Sequence, residues 1–131
     1  MFITNYNQIT GRTLIIEEDE NVGWAYITKP FCVEIHTDCW LYNKIDNIYR
    51  IDISKFKNMP PPAPVEVLIN GYVSYNCLDE NSLSVHWSEC GNVVHIYLNN
   101  SILAIIDILK KESFNINLSV DCEWGKILSS H

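Results

Sequence analysis

The order of polar and apolar residues in the first half of the chain predicts short antiparallel β-strands. Residues 12–18 (RTLIIEE) and 23–28 (GWAYIT) are rich in β-favouring side chains. They flank the acidic stretch 19–22, and together the three segments have the pattern of a β-hairpin. Apolar and polar residues alternate over 31–37, which predicts a half-buried strand, then a turn and another strand over 40–45.

A second hairpin is predicted where residues 83–87 and 93–98 are joined by a short polar turn. A loop over residues 89–92 would fix the register and place the apolar side chains on one buried face. The pairs on that face are Leu83 with Leu98, Val85 with Ile96, and Trp87 with Val94. On the other face the same register brings His86 opposite His95.

Residues 101–112 (SILAIIDILKKE) carry the clearest helical pattern in the chain. Ile102, Ile105, Ile106 and Leu109 follow the spacing of one helix face, and two lysines fall in the last turn, where cations complement the helix dipole. We therefore predict an α+β fold, in which an antiparallel, twisted sheet of about six to eight strands packs against one main α-helix over 101–112.

The remaining segments are assigned less directly. Residues 65–74 and 115–124 favour a strand, whereas residues 47–57 fit both a helical stripe and a strand, of which we favour the strand. Residues 59–64 (MPPPAP) predict an extended crossover, because successive prolines can neither continue a helix nor pair inside a sheet. This break is too short to divide the chain, so we expect a single domain over 1–131, as is usual for a chain of 131 residues.

Composition and charge restrict the classes of partner. Hydrophobic residues make up 47% of the chain, which is enough for a core, and the formal net charge is -7. With only two arginines, Arg12 and Arg50, the chain lacks the basic surface that binds nucleic acid or anionic membranes. No apolar run approaches a membrane span, and residues 1–10 do not have the pattern of a signal peptide. We therefore expect a soluble, cytoplasmic protein whose partner is cationic.

Candidate catalytic and metal-binding chemistry is sparse. The five cysteines include no C-x-x-C pair, and we expect most of them to be reduced core residues. Phosphate-binding glycine loops and nucleophile elbows are absent from the sequence, so we expect no cofactor and no enzymatic activity. One alternative remains open, a small hydrolase or metal-binding enzyme in which His86, Cys90 and His95 supply nitrogen and sulfur groups to zinc or to nucleophilic catalysis.

The acidic run Glu17, Glu18, Asp19 and Glu20 is the main candidate for partner binding. Four negative charges at a hairpin tip would steer a basic protein, although such a turn can also be simply solvated. Trp40 and Tyr42 are expected to be exposed and to add aromatic contacts, whereas Trp24 and Trp87 are assigned to the core.

These features together predict a non-catalytic binding module. We expect an acidic inhibitor that binds and neutralises a more basic protein, such as a toxin. In size, charge and absence of active-site motifs the chain is similar to bacterial immunity proteins, which neutralise toxins, although it carries no motif of that class. A second alternative is an acidic secretion chaperone, which would need an exposed apolar groove. The oligomeric state is left open.

Overall fold

The computed structural model describes residues 2–44, 61–69 and 80–129, and these ranges form two β-sheets. The first sheet is a four-stranded antiparallel meander, ordered β1 (Phe2–Tyr6), β2 (Thr13–Glu18), β3 (Val22–Thr28) and β4 (Ile35–Asn43). The second sheet has five strands, ordered β5 (Leu83–Trp87), β6 (Val93–Leu98), β7 (Ser101–Asp107), β8 (Glu112–Asn115) and β9 (Lys126–Ile127). All pairs are antiparallel except β8 with β9.

The two sheets pack face to face around one main hydrophobic cluster. In the regular strands alternate residues point inward, as in β2, where Leu14 and Ile16 are fully buried, and in β6, where Val94 and Ile96 are fully buried. These side chains belong to one cluster that draws on both sheets. The arrangement is that of a β-sandwich, in which the inner faces of two sheets form the core.

Both predicted hairpins are present in the structure. β2 pairs with β3 across the acidic turn. β5 pairs with β6 in the predicted register, with Leu83 opposite Leu98, Val85 opposite Ile96, and Trp87 opposite Val94. His86 therefore lies opposite His95.

The predicted α-helix over 101–112 is wrong, and with it the α+β fold class and the single sheet. Residues Ser101–Asp107 form strand β7 between β6 and β8. A β-bulge shifts the register here, because Ile96 pairs with Ala104 whereas Tyr97 pairs with Ile102. The extra residue, Leu103, and its neighbour Ala104 are therefore both buried.

The sequence resembles a helix because apolar residues occupy almost every position from 102 to 109, so some of them fall at helical spacing whatever the structure is. Of the four residues on the predicted helix face, only Ile106 is buried in the structure. Leu109, expected on the buried helix face, is instead 67% exposed in the turn that follows β7. The isoleucine-rich composition of the segment favours a strand, because β-branched side chains pack well on a pleated surface.

Helical structure in the described ranges consists of 3-10 turns, among them Val65–Val67 and Glu80–Ser82. No helix in these ranges is long and apolar enough to cross a membrane.

Several predicted strand boundaries also differ. The strand expected over 31–37 begins only at Ile35 and runs without a turn to Asn43. Phe31 adopts a left-handed backbone (φ 56°), and its N–H donates to the Gly11 carbonyl at 2.7 Å, which holds residues 31–34 in a loop. The strand expected over 115–124 is replaced by turns between β8 and β9.

The segment around the prolines is described in part. Residues 61–64 have no regular secondary structure, and Ala63 is fully buried. The strand expected over 65–74 begins instead as a 3-10 turn, and Leu68 forms an isolated bridge with Leu118. The strand expected over 47–57 lies outside the described residues.

Strand β4 contains a second bulge, which splits its side chains between two cores. Gly23 pairs with Tyr42 and Trp24 pairs with Trp40, so Leu41 is the extra residue. Tyr42 and Leu41 belong to the main core, whereas Trp40 belongs to a second, smaller cluster on the other side of the first sheet. The other buried residues of this second core are Val22, Ala63, Leu68 and Leu118.

A buried asparagine in the second sheet joins the two sheets at this bulge. Asn115 is 1% exposed, and its amide Nδ2 donates to the Leu41 carbonyl at 2.9 Å and to the Trp40 carbonyl at 3.4 Å. Its Oδ1 accepts from the Asn117 N–H at 2.9 Å. Both ends of the amide are therefore satisfied, which a buried polar side chain requires.

We expect Asn115→Ala to destabilise the protein by about 1–3 kcal/mol, because it leaves buried backbone groups at the β4 bulge without partners. The free energy of unfolding, measured by urea denaturation, checks this. The exposed Gln8→Ala is the control and should change the stability by less than about 0.5 kcal/mol. An Asn115→Ala variant as stable as this control would show that the amide does not hold the sheets together.

Candidate functional site

The acidic run forms the turn between β2 and β3, as predicted. The Asp19 N–H donates to the Val22 carbonyl at 3.1 Å, and the Asp19 carboxylate accepts from the backbone N–H groups of Asn21 and Val22 at 2.7 and 2.9 Å. Asp19 therefore closes the turn through its own side chain. Glu17, Asp19 and Glu20 are exposed.

Glu18 differs from the other three carboxylates. Its side chain is 6% exposed, its Oε1 accepts from the Tyr42 hydroxyl at 2.8 Å, and its Oε2 lies 3.3 Å from the Lys44 ammonium. A buried charge requires hydrogen-bond donors and an opposite charge, and Tyr42 and Lys44 supply both to Glu18. Glu18 therefore serves the fold and is not available to a partner. Its negative charge is already compensated within the protein.

Trp40 and Tyr42, expected to be exposed partner-binding residues, are buried. Their exposed fractions are 2% and 1%. The Trp40 indole N–H donates to Asn43 Oδ1 at 2.9 Å in the second core. Side chains with so little exposure offer no contact surface to a partner. The sequence does carry a signal for this outcome, because the run CWLYN does not alternate, and a continuous apolar run is typical of a strand buried on both faces.

Other aromatic side chains lie beside the acidic turn instead. An open cleft of about 230 Å³ is lined by Phe2, Glu17, Glu18, Asp19, Val22, Trp24 and Tyr26. We call it the acidic-aromatic cleft. Strand pairing aligns Phe2 with Glu17 and Glu17 with Trp24, so these three side chains form one row on the outer face of the first sheet. Glu17 thus stands between two aromatic residues.

Trp24, assigned to the core from the sequence, has a mixed environment. It is half-buried, packs against the second core and also lines the cleft. Its indole N–H is buried and has no hydrogen-bond acceptor among the described residues. Trp87, also assigned to the core, is half-buried against the main core and donates its indole N–H to Asn5 Oδ1 at 2.7 Å.

The electrostatic environment of the cleft is negative. Burial, and after it the negative charges of Glu17, Asp38 and Asp19, raise the pKa of the Tyr26 hydroxyl above its ordinary value. Within the described ranges, no lysine or arginine forms an ion pair with Glu17, Asp19 or Glu20. The cleft therefore presents an aromatic surface next to an uncompensated carboxylate.

The histidines considered for metal binding lie on the second sheet. His86 and His95 are opposite each other, and both contact the Tyr97 ring, with centroids at 5.1 Å and 6.5 Å. Cys90 is exposed in the connecting turn, with its sulfur 3.5 Å from the Ser88 hydroxyl. In the part of the chain that the structure describes, no three histidine, cysteine or carboxylate side chains form a metal-binding group.

These residues also do not line either of the two clefts described. The second cleft, of about 370 Å³, lies at the β6–β7 turn and is lined mainly by apolar side chains such as Ile102 and Ile116. The alternative of a small enzyme, which required at least two of His86, Cys90 and His95 in one pocket, stays a prediction.

The expectation that most cysteines are core residues holds for Cys39 alone among those that the structure describes. Cys39 is 2% exposed, and its burial raises the pKa of its thiol to about 12. Cys32 and Cys90 are exposed and Cys122 is half-buried. The Ser88 hydroxyl lowers the pKa of the Cys90 thiol by hydrogen bonding to it. Cys77 lies outside the described residues.

The two tryptophans on the outer face of the first sheet should respond differently to the same substitution. Trp40→Phe removes a buried hydrogen bond to Asn43, whereas Trp24→Phe removes a buried donor that has no described acceptor. We expect Trp40→Phe to cost about 1–3 kcal/mol more than Trp24→Phe. Urea denaturation of both variants measures the difference, and equal losses would contradict these assignments.

Tyr26 should titrate above the ordinary tyrosine pKa of 10.0. We expect Glu17→Gln to lower this pKa but to leave it raised, because burial is the largest cause. Nuclear magnetic resonance (NMR) of 13C-labelled tyrosine, assigned with Tyr26→Phe, measures it. Glu20→Gln is the matched control, since Glu20 is not among the charges that raise the pKa of Tyr26. Because the pKa is raised in the folded state, stability should fall as the pH rises past about 10.

Comparisons with known proteins add no relative for this chain: no protein-family model, curated protein or solved structure matches it.

Proposed function

We propose that this protein is a non-catalytic binding module that recognises a more basic protein and neutralises it, as an acidic inhibitor of the immunity type. The observation that carries the proposal is the pairing of the exposed acidic turn with the acidic-aromatic cleft. Glu17, Asp19 and Glu20 have no cationic partner among the described residues, and Phe2 beside them is 57% exposed.

The composition of this surface suits recognition of a cationic protein. Exposed carboxylates raise the rate at which a basic partner associates, and the net charge of -7 supports the same direction of steering. Aromatic side chains provide the area that binding hot spots use. In the cleft these side chains are Phe2, Trp24 and Tyr26. They have the role in partner binding that the sequence suggested for Trp40 and Tyr42.

A cytoplasmic location is part of the proposal. Cys32 and Cys90 are exposed free thiols, and thiols of this kind persist in a reducing compartment. An oxidising compartment would favour their conversion to disulfides.

Neutralising two carboxylates should separate binding from folding. Glu17→Gln/Glu20→Gln leaves the Glu18 ion pair and the Asp19 turn intact. We expect the variant to retain its stability within about 1 kcal/mol and to lose about tenfold in association rate with the basic partner at low salt. The partner is obtained by affinity capture from extract of the source organism, identified, purified and measured by surface plasmon resonance.

The matched control is Glu34→Gln/Glu89→Gln, which removes the same charge away from the acidic turn. Glu34 lies in the loop at the other end of β3, and Glu89 lies in the β5–β6 turn, which is next to the β1–β2 turn. Glu34 forms an exposed ion pair with Lys29, which contributes little to stability. We expect the control to associate at nearly the wild-type rate, with only the small loss that the lower net negative charge causes. Equal losses in both variants, or a partner that is not basic, would contradict the proposal.

A further inference from the structure

We propose that the acidic-aromatic cleft binds the guanidinium group of one arginine side chain on the partner protein. This inference rests on the proposed function and names the chemical group that the cleft accepts.

The size of the cleft favours a single side chain. Pockets for cofactors and drug-sized ligands usually have volumes of about 300–1,000 Å³. The acidic-aromatic cleft is smaller, at about 230 Å³, and it is open to solvent on the outer face of the first sheet. It can therefore admit a long side chain from another protein more readily than a cofactor.

Of the three carboxylates that line the cleft, Glu17 is the one available to pair with a cationic side chain. Glu18 is already neutralised by Lys44 and bonded to Tyr42, and the Asp19 carboxylate accepts two backbone hydrogen bonds in the turn. Glu17 has neither role, and it stands in the row between Phe2 and Trp24. Glu17 is thus the carboxylate of the cleft with neither an ion pair nor a role in the turn, so a monovalent cation would pair with it, while the charge of Asp19 adds to the negative field.

The aromatic residues beside Glu17 favour a guanidinium over an ammonium group. A guanidinium is planar and weakly hydrated, so it can stack on an aromatic ring and still donate two hydrogen bonds to a carboxylate. A lysine ammonium is a compact, strongly hydrated charge and loses more on entering a cleft with aromatic walls. Phe2, Trp24 and Tyr26 all offer ring surfaces to such a group.

The test uses small probes and does not require the partner. N-acetyl-arginine amide is titrated into the 15N-labelled protein, and the Trp24 indole and nearby backbone resonances are followed by NMR. We expect saturable shifts with a Kd on the order of 1–10 mM. N-acetyl-lysine amide should bind at least about threefold more weakly. N-acetyl-citrulline amide, which has nearly the same shape but no charge, should cause no saturable shift.

Two variants with matched controls locate the probe in the cleft. Glu17→Gln and Phe2→Ala should each weaken arginine binding by about fivefold or more. Glu20→Gln removes a charge of the same turn outside the cleft, and Tyr6→Ala removes a comparably exposed aromatic from the same strand. Both controls should bind the probe like the wild type. Glu17 and Phe2 are exposed, so their replacement leaves the core intact, which circular dichroism verifies.

The outcomes separate this inference from the proposed function. Saturable citrulline binding, equal effects of Glu17→Gln and Glu20→Gln, or no arginine shift at tens of millimolar would each overturn the arginine site. If a basic partner still depends on Glu17 and Glu20 in that case, the proposed function stands without it. Arginine-specific binding in the cleft supports the inference even if no basic partner is captured, and that second result would count against the function alone.

Discussion

One extra residue in β4 determines how the first sheet is built. In a regular strand Trp40 and Tyr42 would point to the same side. The bulge at Leu41 sends Tyr42 to the main core and Trp40 to the second core. As a result the hydroxyl of Tyr42 reaches Glu18 and fixes the base of the acidic turn. The position of the turn at the protein surface therefore depends on a register shift in a neighbouring strand.

Buried amides stabilise this irregular strand. Asn115 from the second sheet donates to backbone carbonyls at the bulge, and Asn43 forms two hydrogen bonds with the backbone of Ala63. The two bonds of Asn43 attach the proline-rich segment at Ala63, which unlike the neighbouring prolines has a backbone N–H to donate. That segment helps to cover the outer face of the sheet near β4, next to Trp40. The acidic-aromatic cleft lies on the part of this face near β1.

The sequence predicts the local pairings well and the bulged strands poorly. The β2–β3 hairpin and the β5–β6 register follow from alternation and short turns, both of which are local properties. The helix predicted over 101–112 fails because a nearly continuous apolar run fits helical spacing as readily as it fits a bulged strand. The expected exposure of Trp40 and Tyr42 fails because distant residues cover them. Trp40 packs with residues such as Leu118 in the second core, and Tyr42 packs in the main core between the sheets. The only local sign of this packing is that the run CWLYN does not alternate, and the sequence does not show which residues cover it.

The four adjacent carboxylates show most clearly what the fold adds to the sequence. As a run of letters, residues 17–20 are four equivalent negative charges. In the structure one is an internal ion pair, one closes the turn, one lies between aromatic rings and one is at the tip. Only the charges of Glu17 and Glu20 are free of such structural roles. Long-range attraction can use the whole net charge, but specific recognition requires a charge held next to a shaped surface. Glu17 alone meets that requirement, because strand pairing fixes it between Phe2 and Trp24.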